Sequence, residues 1–383
     1  MMIRIFIQSR KLAAGLFFVM LVTGGMLLSS CSSVFVLLPQ SRKTLVSTTG
    51  FLAPDDENIT VTGAFFLQKS PERMVINRIT ERVLQNDSTF MSPEKARTQT
   101  GVSILLASDS PRVTFRFEPR DSSVHRFSAF AVYRDGRFVR QVVCSPLAPV
   151  TSVTETNPDT LGHRLVTWEI VLPPFFGVHF TGVEVARGSR YRKVARNGRL
   201  YVAIGNSITH GTGQRSSDQT YPFILARKKG WLLYNLAVGG SRTSWPVATL
   251  LRGKKVDVIS VLWGYNDWNA GFTLEQERTF YRRLVQELLR AQPEAQIYCI
   301  TPTFTYRTRP KRGNLSLDDI RDVQAEVVHQ FQAKGYRNLH LIRGEAVSDG
   351  SFLKPQGSAD VVHFTVAGAA RFAEVLGGLM TVH

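Results

Sequence analysis

Cysteine is scarce in this chain, with three residues among 383, too few for a disulfide scaffold. No C-x-x-C pair or H-E-x-x-H helix occurs, so a structural zinc site has no ligands to draw on. Acidic residues are few as well: 30 Asp and Glu stand against 47 Lys and Arg, giving a formal charge of +17. Such an excess attracts nucleic acid, anionic lipid or acidic polysaccharide. The cations are spread along the chain with no zinc-finger, recognition-helix or RNA-recognition signature, and this sets nucleic acid aside as a partner. The 29 Gly and 17 Pro are near average usage and exclude a collagen-like or low-complexity architecture. What is present is globular composition, 43% hydrophobic and 20% charged, in a chain long enough for two domains. No internal repeat is visible.

The N-terminus reads as an address. Arg4, Arg10 and Lys11 are followed by an apolar stretch over 12–28 and then by Ser29, Ser30 and Cys31. This is the layout of a secretion signal. The stretch is short for a membrane span and is interrupted by Gly15, Gly24 and Gly25. An uncleaved membrane anchor is the other reading. Leu28-Ser29-Ser30-Cys31 resembles a bacterial lipobox, which implies lipidation of Cys31, a mature chain beginning there and attachment to a membrane. Either reading places the body of the protein outside the cytoplasm. Ser32 stands where an inner-membrane retention signal would carry Asp, which favours the outer membrane or cell surface. Residues 1–31 are therefore expected to be a leader, and 32–50, rich in Ser and Thr, a tether. Cys144 and Cys299 read as small core residues rather than a disulfide.

From 51 to 192 the chain is strand-like. The segments 59–66, 102–106, 113–117, 130–133, 138–143, 168–172 and 183–185 are rich in β-branched and aromatic residues. Asp135-Gly136 separates two of them and suits a type I′ hairpin turn, in which both central residues need positive φ. No long helix is expected there, so an antiparallel, jelly-roll-like β-sandwich fits best. Over 193–383 short apolar strands at 201–204, 232–236, 256–263, 295–300 and 339–342 alternate with amphipathic helices. Thr273 with Gln276, and Ser316 with Asp319, form capping boxes for two of those helices. Phe280, Leu284 and Leu288 share a face of the first; Ile320, Val327 and Phe331 are apolar positions of the second. Thr365 caps a last helix carrying Val366, Ala369, Phe372 and Leu376. Five strands with intervening helices describe a parallel α/β sheet, whose ligands bind at the carboxyl ends of the strands.

The first of those strands ends in Gly205-Asn206-Ser207, and a Ser at this turn stands beside unpaired helix N-terminal amides able to stabilise an oxyanion. A Ser here also serves as a simple helix cap, so the segment alone carries either reading. A base is then required. His329 falls in a helix, His340 in a strand, and His383 ends the chain. His210 follows Ser207 too closely on the same turn to be an easy partner. His363 precedes the last helix in Asp360-Val-Val-His363, a spacing that lets the carboxylate reach one imidazole nitrogen and frees the other for Ser207. A surface Asp and a capping His is the plainer alternative. Asn235-Leu-Ala-Val-Gly-Gly240 and Gly264-Tyr-Asn266-Asp267 follow the second and third strands and offer glycine amides and an Asn side chain as donors.

Together these blocks resemble the SGNH (GDSL-like) serine hydrolases: Gly205-Asn206-Ser207, Asn235 to Gly240, Gly264-Tyr265-Asn266-Asp267 and Asp360-x-x-His363, in order, over 197–383. The resemblance implies a flavodoxin-like three-layer sandwich. It implies Ser207 as nucleophile, His363 as general base then acid, and Asp360 as its orienter. The implied oxyanion hole is the Ser207 amide, the Gly240 amide and the Asn266 side chain, with adjacent Gly239 as a substitute for Gly240. Asn206 departs from the family, many members having Asp there. The whole chain is also similar to two-domain bacterial SGNH esterases with a leading β-sandwich, several of which deacetylate carbohydrates. The expectation is an exported serine esterase acting on short acyl esters, most often acetyl, of a carbohydrate, through an acyl-enzyme and without metal or organic cofactor. A lysophospholipase or broad acyl esterase, and a non-catalytic glycan-binding lipoprotein, are the competing readings.

For the acceptor, the loop Tyr306-Arg-Thr-Arg-Pro-Lys-Arg-Gly313 follows the fourth strand, where Arg307, Arg309, Lys311 and Arg312 are placed either to hold an acidic polymer or simply to face water. Trp245 and Trp268 lie just beyond the donor loops as sugar-stacking candidates, while Trp231 and Trp263 read as core. Nothing in the sequence speaks to oligomeric state.

Overall fold

The computed structural model describes residues 43–87, 90–159 and 164–381; the leader, Cys31, most of the tether and His383 lie outside them. The chain begins with short strands β1 (Leu45–Val46), β2 (Phe51–Leu52), β3 (Thr60–Thr62), β4 (Phe66–Lys69) and β5 (Met74–Asn77). Two short helices follow, α1 (Glu81–Asn86) and α2 (Pro93–Ala96). The longer strands are β6 (Ser103–Ser108), β7 (Arg112–Pro119), β8 (Ser128–Arg134), β9 (Arg137–Cys144), β10 (Ser152–Thr156), β11 (Val166–Val171) and β12 (Val178–Glu184), closed by β13 (Arg190–Arg192). They form two antiparallel sheets. One runs β1-β13-β6-β11-β8-β9 with β3 also on β6; the other runs β10-β7-β12-β5-β4 with β2 on β12. Alternating apolar side chains such as Ile104, Phe115, Phe130, Trp168 and Phe180 fill the space between them.

Two sequence expectations shift here. The strand expected over 59–66 is divided into β3 and β4 by Gly63, whose φ of +85° only glycine adopts easily and whose absent Cβ leaves room for the Gly101 carbonyl. The tether expected to run to residue 50 already belongs to the sandwich at Leu45, which pairs with Tyr191. The Asp135-Gly136 turn is as expected, with φ of +49° and +80°.

The second half carries the parallel sheet β15-β14-β16-β17-β18, formed by β14 (Leu200–Gly205), β15 (Leu232–Asn235), β16 (Val258–Leu262), β17 (Gln296–Ile300) and β18 (Leu339–Ile342). All four neighbouring pairs are parallel, and the order 2-1-3-4-5 is that of flavodoxin-like sheets. The helices are α3 (Ser207–His210), α4 (Tyr221–Lys229), α5 (Tyr265–Ala270), α6 (Leu274–Ala291), α7 (Leu317–Ala333) and α8 (Val366–Leu379). Both capping boxes form, at Thr273–Gln276 and Ser316–Asp319, and Thr365 caps α8. Val366 is exposed rather than packed, while Ala369, Phe372 and Leu376 face the core. Cys144 and Cys299 are buried thiols in different cores.

The sandwich and the α/β layers form one compact unit. Glu169 of β11, almost fully buried, binds both Arg196 and Arg227 at 2.5 and 2.6 Å. Arg78 reaches across from the leading half without any solvent exposure. Its Nη1 donates to the carbonyls of Asn235 and Ala237 at 2.7 and 2.9 Å, and its Nε to Thr98 at 2.7 Å. Burial lowers its pKa to about 10, and carbonyl dipoles take the place of a carboxylate partner.

Candidate active site

β14 delivers its last residue, Gly205, against β16 so closely that a Cβ there would lie 2.9 Å from the Leu262 carbonyl. Asn206 caps the next turn by accepting the Ile208 amide, and Ser207 is the first residue of α3. The Ser207 N–H therefore starts a helix and donates to no group among the described residues. Far along the chain, the loop before α8 is pinned to this turn: Gln214 Nε2 donates to the Phe364 carbonyl at 2.8 Å. Gly213, with φ of +97°, lets that carbonyl approach where a Cβ would collide.

The pinned loop brings His363 to Ser207, with Nε2 2.8 Å from Oγ. On the other edge of the ring Nδ1 donates to Asp360 at 3.0 and 3.1 Å. The His363 backbone amide donates to the same carboxylate. The hydrogen bonds from His363 hold the Asp360 carboxyl far below the usual range, against the opposing effect of burial. An ionised Asp360 fixes the proton on Nδ1 and leaves Nε2 free to accept from the Ser207 hydroxyl.

Two further strand ends face this pair. After β15, Gly239 donates its amide to Nδ1 of His210 at 2.8 Å, which engages that donor. Adjacent Gly240, with φ of +85°, keeps its N–H unengaged among the described residues. Of the two glycines, Gly240 is thus the one with a donor to offer. After β16, Asn266 spends one amide hydrogen on the Ser241 carbonyl at 2.8 Å and has a second remaining. Asp267, wholly buried behind it, accepts the Thr243 amide at 2.9 Å. Burial raises its pKa to about 6, and the neighbouring buried Glu277 is pushed up likewise.

These groups border a cavity of about 460 Å³ that is also lined by Lys95, Arg126 and Phe175 from the leading half and by Tyr265, Arg307 and Lys311 from the second. Ser207, His363, Asp360, Gly240 and Asn266 are all on it. The two tryptophans proposed as sugar platforms are not. Trp268 is 1% exposed, donates Nε1 to the Leu315 carbonyl and packs with Leu317 and Ile320. Trp245 packs on the core beneath the Arg283 guanidinium, 4.4 Å from its ring centroid. Both were placed by sequence proximity to the donor loops, and in each case the helical turn that carries the residue, α5 for Trp268 and a 3-10 helix over Trp245–Leu251 for Trp245, packs the indole on the core. In the basic loop, Arg307 and Lys311 reach the cavity, whereas Arg309 is exposed away from it.

Sequence reasoning passed over the contribution of the leading half. Lys95 sits on α2, inside a region read as strands, and no local pattern marks it. His210 was set aside as a base, and its role in the structure is different. Its Nε2 lies 2.8 Å from the Pro174 carbonyl and 3.1 Å from Thr98 Oγ1, and Phe175 stacks on it with centroids 4.3 Å apart. Burial, reinforced by Arg78, keeps the ring neutral.

Residues 203–371 match the GDSL-like Lipase/Acylhydrolase family. No curated protein matches the chain. Among solved structures, similarity extends over both halves. The salicylyl-acyltransferase SsfX3 from a tetracycline biosynthetic pathway has a TM-score of 0.73 at 20% identity, covering 88% of this chain and 96% of its own. A family two carbohydrate esterase from Clostridium thermocellum, in complex with cellohexaose, has 0.59 at 16%, covering 88% and 98%. An acetyl xylan esterase (Est2A) from the rumen bacterium Butyrivibrio proteoclasticus has 0.58 at 14%, covering 85% and 95%.

Proposed function

We propose that this carboxylic ester hydrolase, built on a GDSL-like lipase/acylhydrolase domain, removes acetyl or another short acyl group from a carbohydrate. The observation that carries the reading is the Ser207–His363–Asp360 line, 2.8 and 3.0 Å per step, on the wall of a cavity with free amides. Ser207 Oγ attacks the acyl carbonyl as its proton passes to His363 Nε2, and Asp360 stabilises the imidazolium. The tetrahedral oxyanion is received by the Ser207 and Gly240 amides and the Asn266 side chain. Collapse breaks the C–O bond to the sugar, whose alkoxide takes the proton from His363. Water, deprotonated by the same imidazole, then attacks the acyl-Ser207 and releases the carboxylic acid.

The preference for a short acyl group rests on the cavity lining, in which the apolar surface of Phe175, Tyr265, Val361 and Val362 is interrupted by Lys95, Arg126, Asn266, Asn269, Arg307 and Lys311. A long acyl chain needs an apolar groove to leave water. The carbohydrate acceptor is supported by the two esterases similar in fold. Export, with a lipid on Cys31, belongs to the same proposal: a membrane-held esterase facing polymers outside the cell. Cys31→Ser then releases the protein from membranes, and retention after correct export would instead indicate an uncleaved anchor.

The test is hydrolysis of 4-nitrophenyl acetate, butyrate and octanoate by the full chain beside Ser207→Ala. Turnover is expected to fall steeply with acyl length and to drop by at least about a thousandfold in the variant. Equal rates on octanoate would favour a broad lipase, and near-normal turnover in Ser207→Ala would remove the proposed nucleophile.

A further inference from the structure

The cavity around Ser207 has an uneven charge. Lys95, Arg126, Arg307 and Lys311 line it, and the sole carboxylate among the lining residues is Asp360, already held by His363. None of the four cations has an ion-pair partner among the described residues. Elsewhere the protein pairs its arginines freely: Arg196 and Arg227 share Glu169, and Arg321 holds Asp318. The cavity cations thus have no carboxylate partner among the described residues, in a chain that supplies one to others readily; Arg126 stands over the Phe175 ring, 6.0 Å from its centroid, and Arg307 lies beside Tyr265.

Two of them are also not simply solvated. Arg307 Nε is shielded from water and makes no hydrogen bond, an arrangement that costs stability unless something fills it. Lys95 is half-buried, and its Nζ lies 3.4 Å from where a Cβ on Gly240 would stand, beside the loop that carries the unengaged Gly240 amide. Burial and the nearby Arg126 both disfavour its charge. An anion between these groups relieves each of these costs at once, through charge-assisted hydrogen bonds in a partly dehydrated space.

We infer that the acyl ester sits on an acceptor bearing its own negative charge, a carboxylate or a phosphate, held by Lys95 and Arg126 of the leading half together with Arg307. This rests on the esterase reading above and names its substrate class. It also gives the sandwich a direct part in substrate selection, since two of the three cations belong to it. A uronic acid and a sugar phosphate share the chemistry, and the experiment separates them.

The full chain would be given three acetyl esters with the same acetylated hydroxyl: methyl glucoside, methyl glucuronide and methyl glucoside 6-phosphate. At low salt, kcat/KM for at least one charged ester is expected to exceed that of the neutral one by tenfold or more. The larger gain names carboxylate or phosphate, and comparable gains indicate a shared anion site. The ratio is expected to shrink several-fold in 0.5 M NaCl, a reading that needs no variant. Lys95→Met and Arg307→Met should each move the ratio toward one. Ser207-dependent hydrolysis of the neutral ester at a rate equal to or above both charged esters would overturn the inference while leaving the esterase intact. Absence of Ser207-dependent turnover on all three and on 4-nitrophenyl acetate would remove the esterase reading itself, and the anion site with it.

Discussion

Gly239 gives its amide to His210 Nδ1, 2.8 Å away, while the neighbouring Gly240, whose amide is engaged by no described group, lines the same cavity as Ser207. The imidazole accepting that bond is anchored in turn by Pro174 and Phe175 of the leading half. The orientation of one donor loop is thus set from outside the α/β fold that carries it.

His210 is accordingly expected to act as a positioning residue. His210→Ala should lower kcat by about ten- to a hundredfold with KM within a few-fold, as loss of an aligned oxyanion donor does. His210→Asn, whose Oδ1 stands near the place of Nδ1, should recover part of kcat. A merely structural role would change melting temperature without this split or rescue. The ring is neutral in the fold, with its pKa below the ordinary 6.5, so the unfolded chain binds the proton more readily. Stability contributed by His210 is present above about pH 6.5 and is lost as pH falls below it. Thermal melts from pH 8 to 5 should show that acid slope weakened in His210→Asn.

Asn266→Ala should reduce kcat on the order of a hundredfold, by the loss of one donor to the developing oxyanion. Steady-state kinetics on 4-nitrophenyl acetate checks it; a change confined to KM would reassign Asn266 to ground-state binding.

Asp360→Asn should lower kcat by on the order of a thousandfold or more, because an amide no longer fixes the His363 tautomer. The depressed carboxyl pKa makes a second expectation. Asp360 adds stability above the ordinary carboxylate pKa of about 3.8, and that stability is lost as pH falls below it. In Asp360→Asn the loss of stability as pH falls below about 3.8, followed by circular dichroism, should be shallower than in the unaltered protein; an unchanged slope would mean that the fold does not hold this carboxyl ionised.

Asp267 has the opposite sign. Its pKa is raised to about 6 from 3.8, so the folded state holds the proton more tightly and loses stability as pH rises through that window. Asp267→Asn keeps an acceptor for the Thr243 amide and removes the buried charge beside Glu277. A stability gain on the order of 2 kcal/mol is expected at pH 8 and a smaller one at pH 5, measured by denaturant melts. No gain at pH 8 would mean that the carboxylate has a stabilising partner.

The parallel sheet was legible because each of its strands is an apolar run with helix caps at regular intervals, and Thr273, Ser316 and Thr365 cap as their spacing predicts. The four residue blocks at the strand ends were legible for a related reason: chemistry at a carboxyl edge needs particular residues at fixed turns. The wall supplied by Lys95, Arg126 and Phe175 was not, since nothing local in 93–96 or 174–176 reports what tertiary packing sets opposite. Trp245 and Trp268 failed in the same direction. Nearness in sequence to a donor loop says little about where a side chain points once a helix begins. Gly63 was overlooked because a glycine between β-branched residues reads as a weak point in a strand, whereas here a second backbone passes within reach of its missing Cβ.

The buried Arg78 bears on how such a chain can have been assembled. Its guanidinium fills carbonyls at the end of β15 that are otherwise left dry and unpaired, so the junction is complementary at the level of single hydrogen bonds. A recombination that joined another leading module at the start of β14 would inherit those carbonyls without a donor. The two halves are therefore expected to have diverged as one lineage, with substitutions at the seam fixed in pairs, rather than to have been shuffled independently.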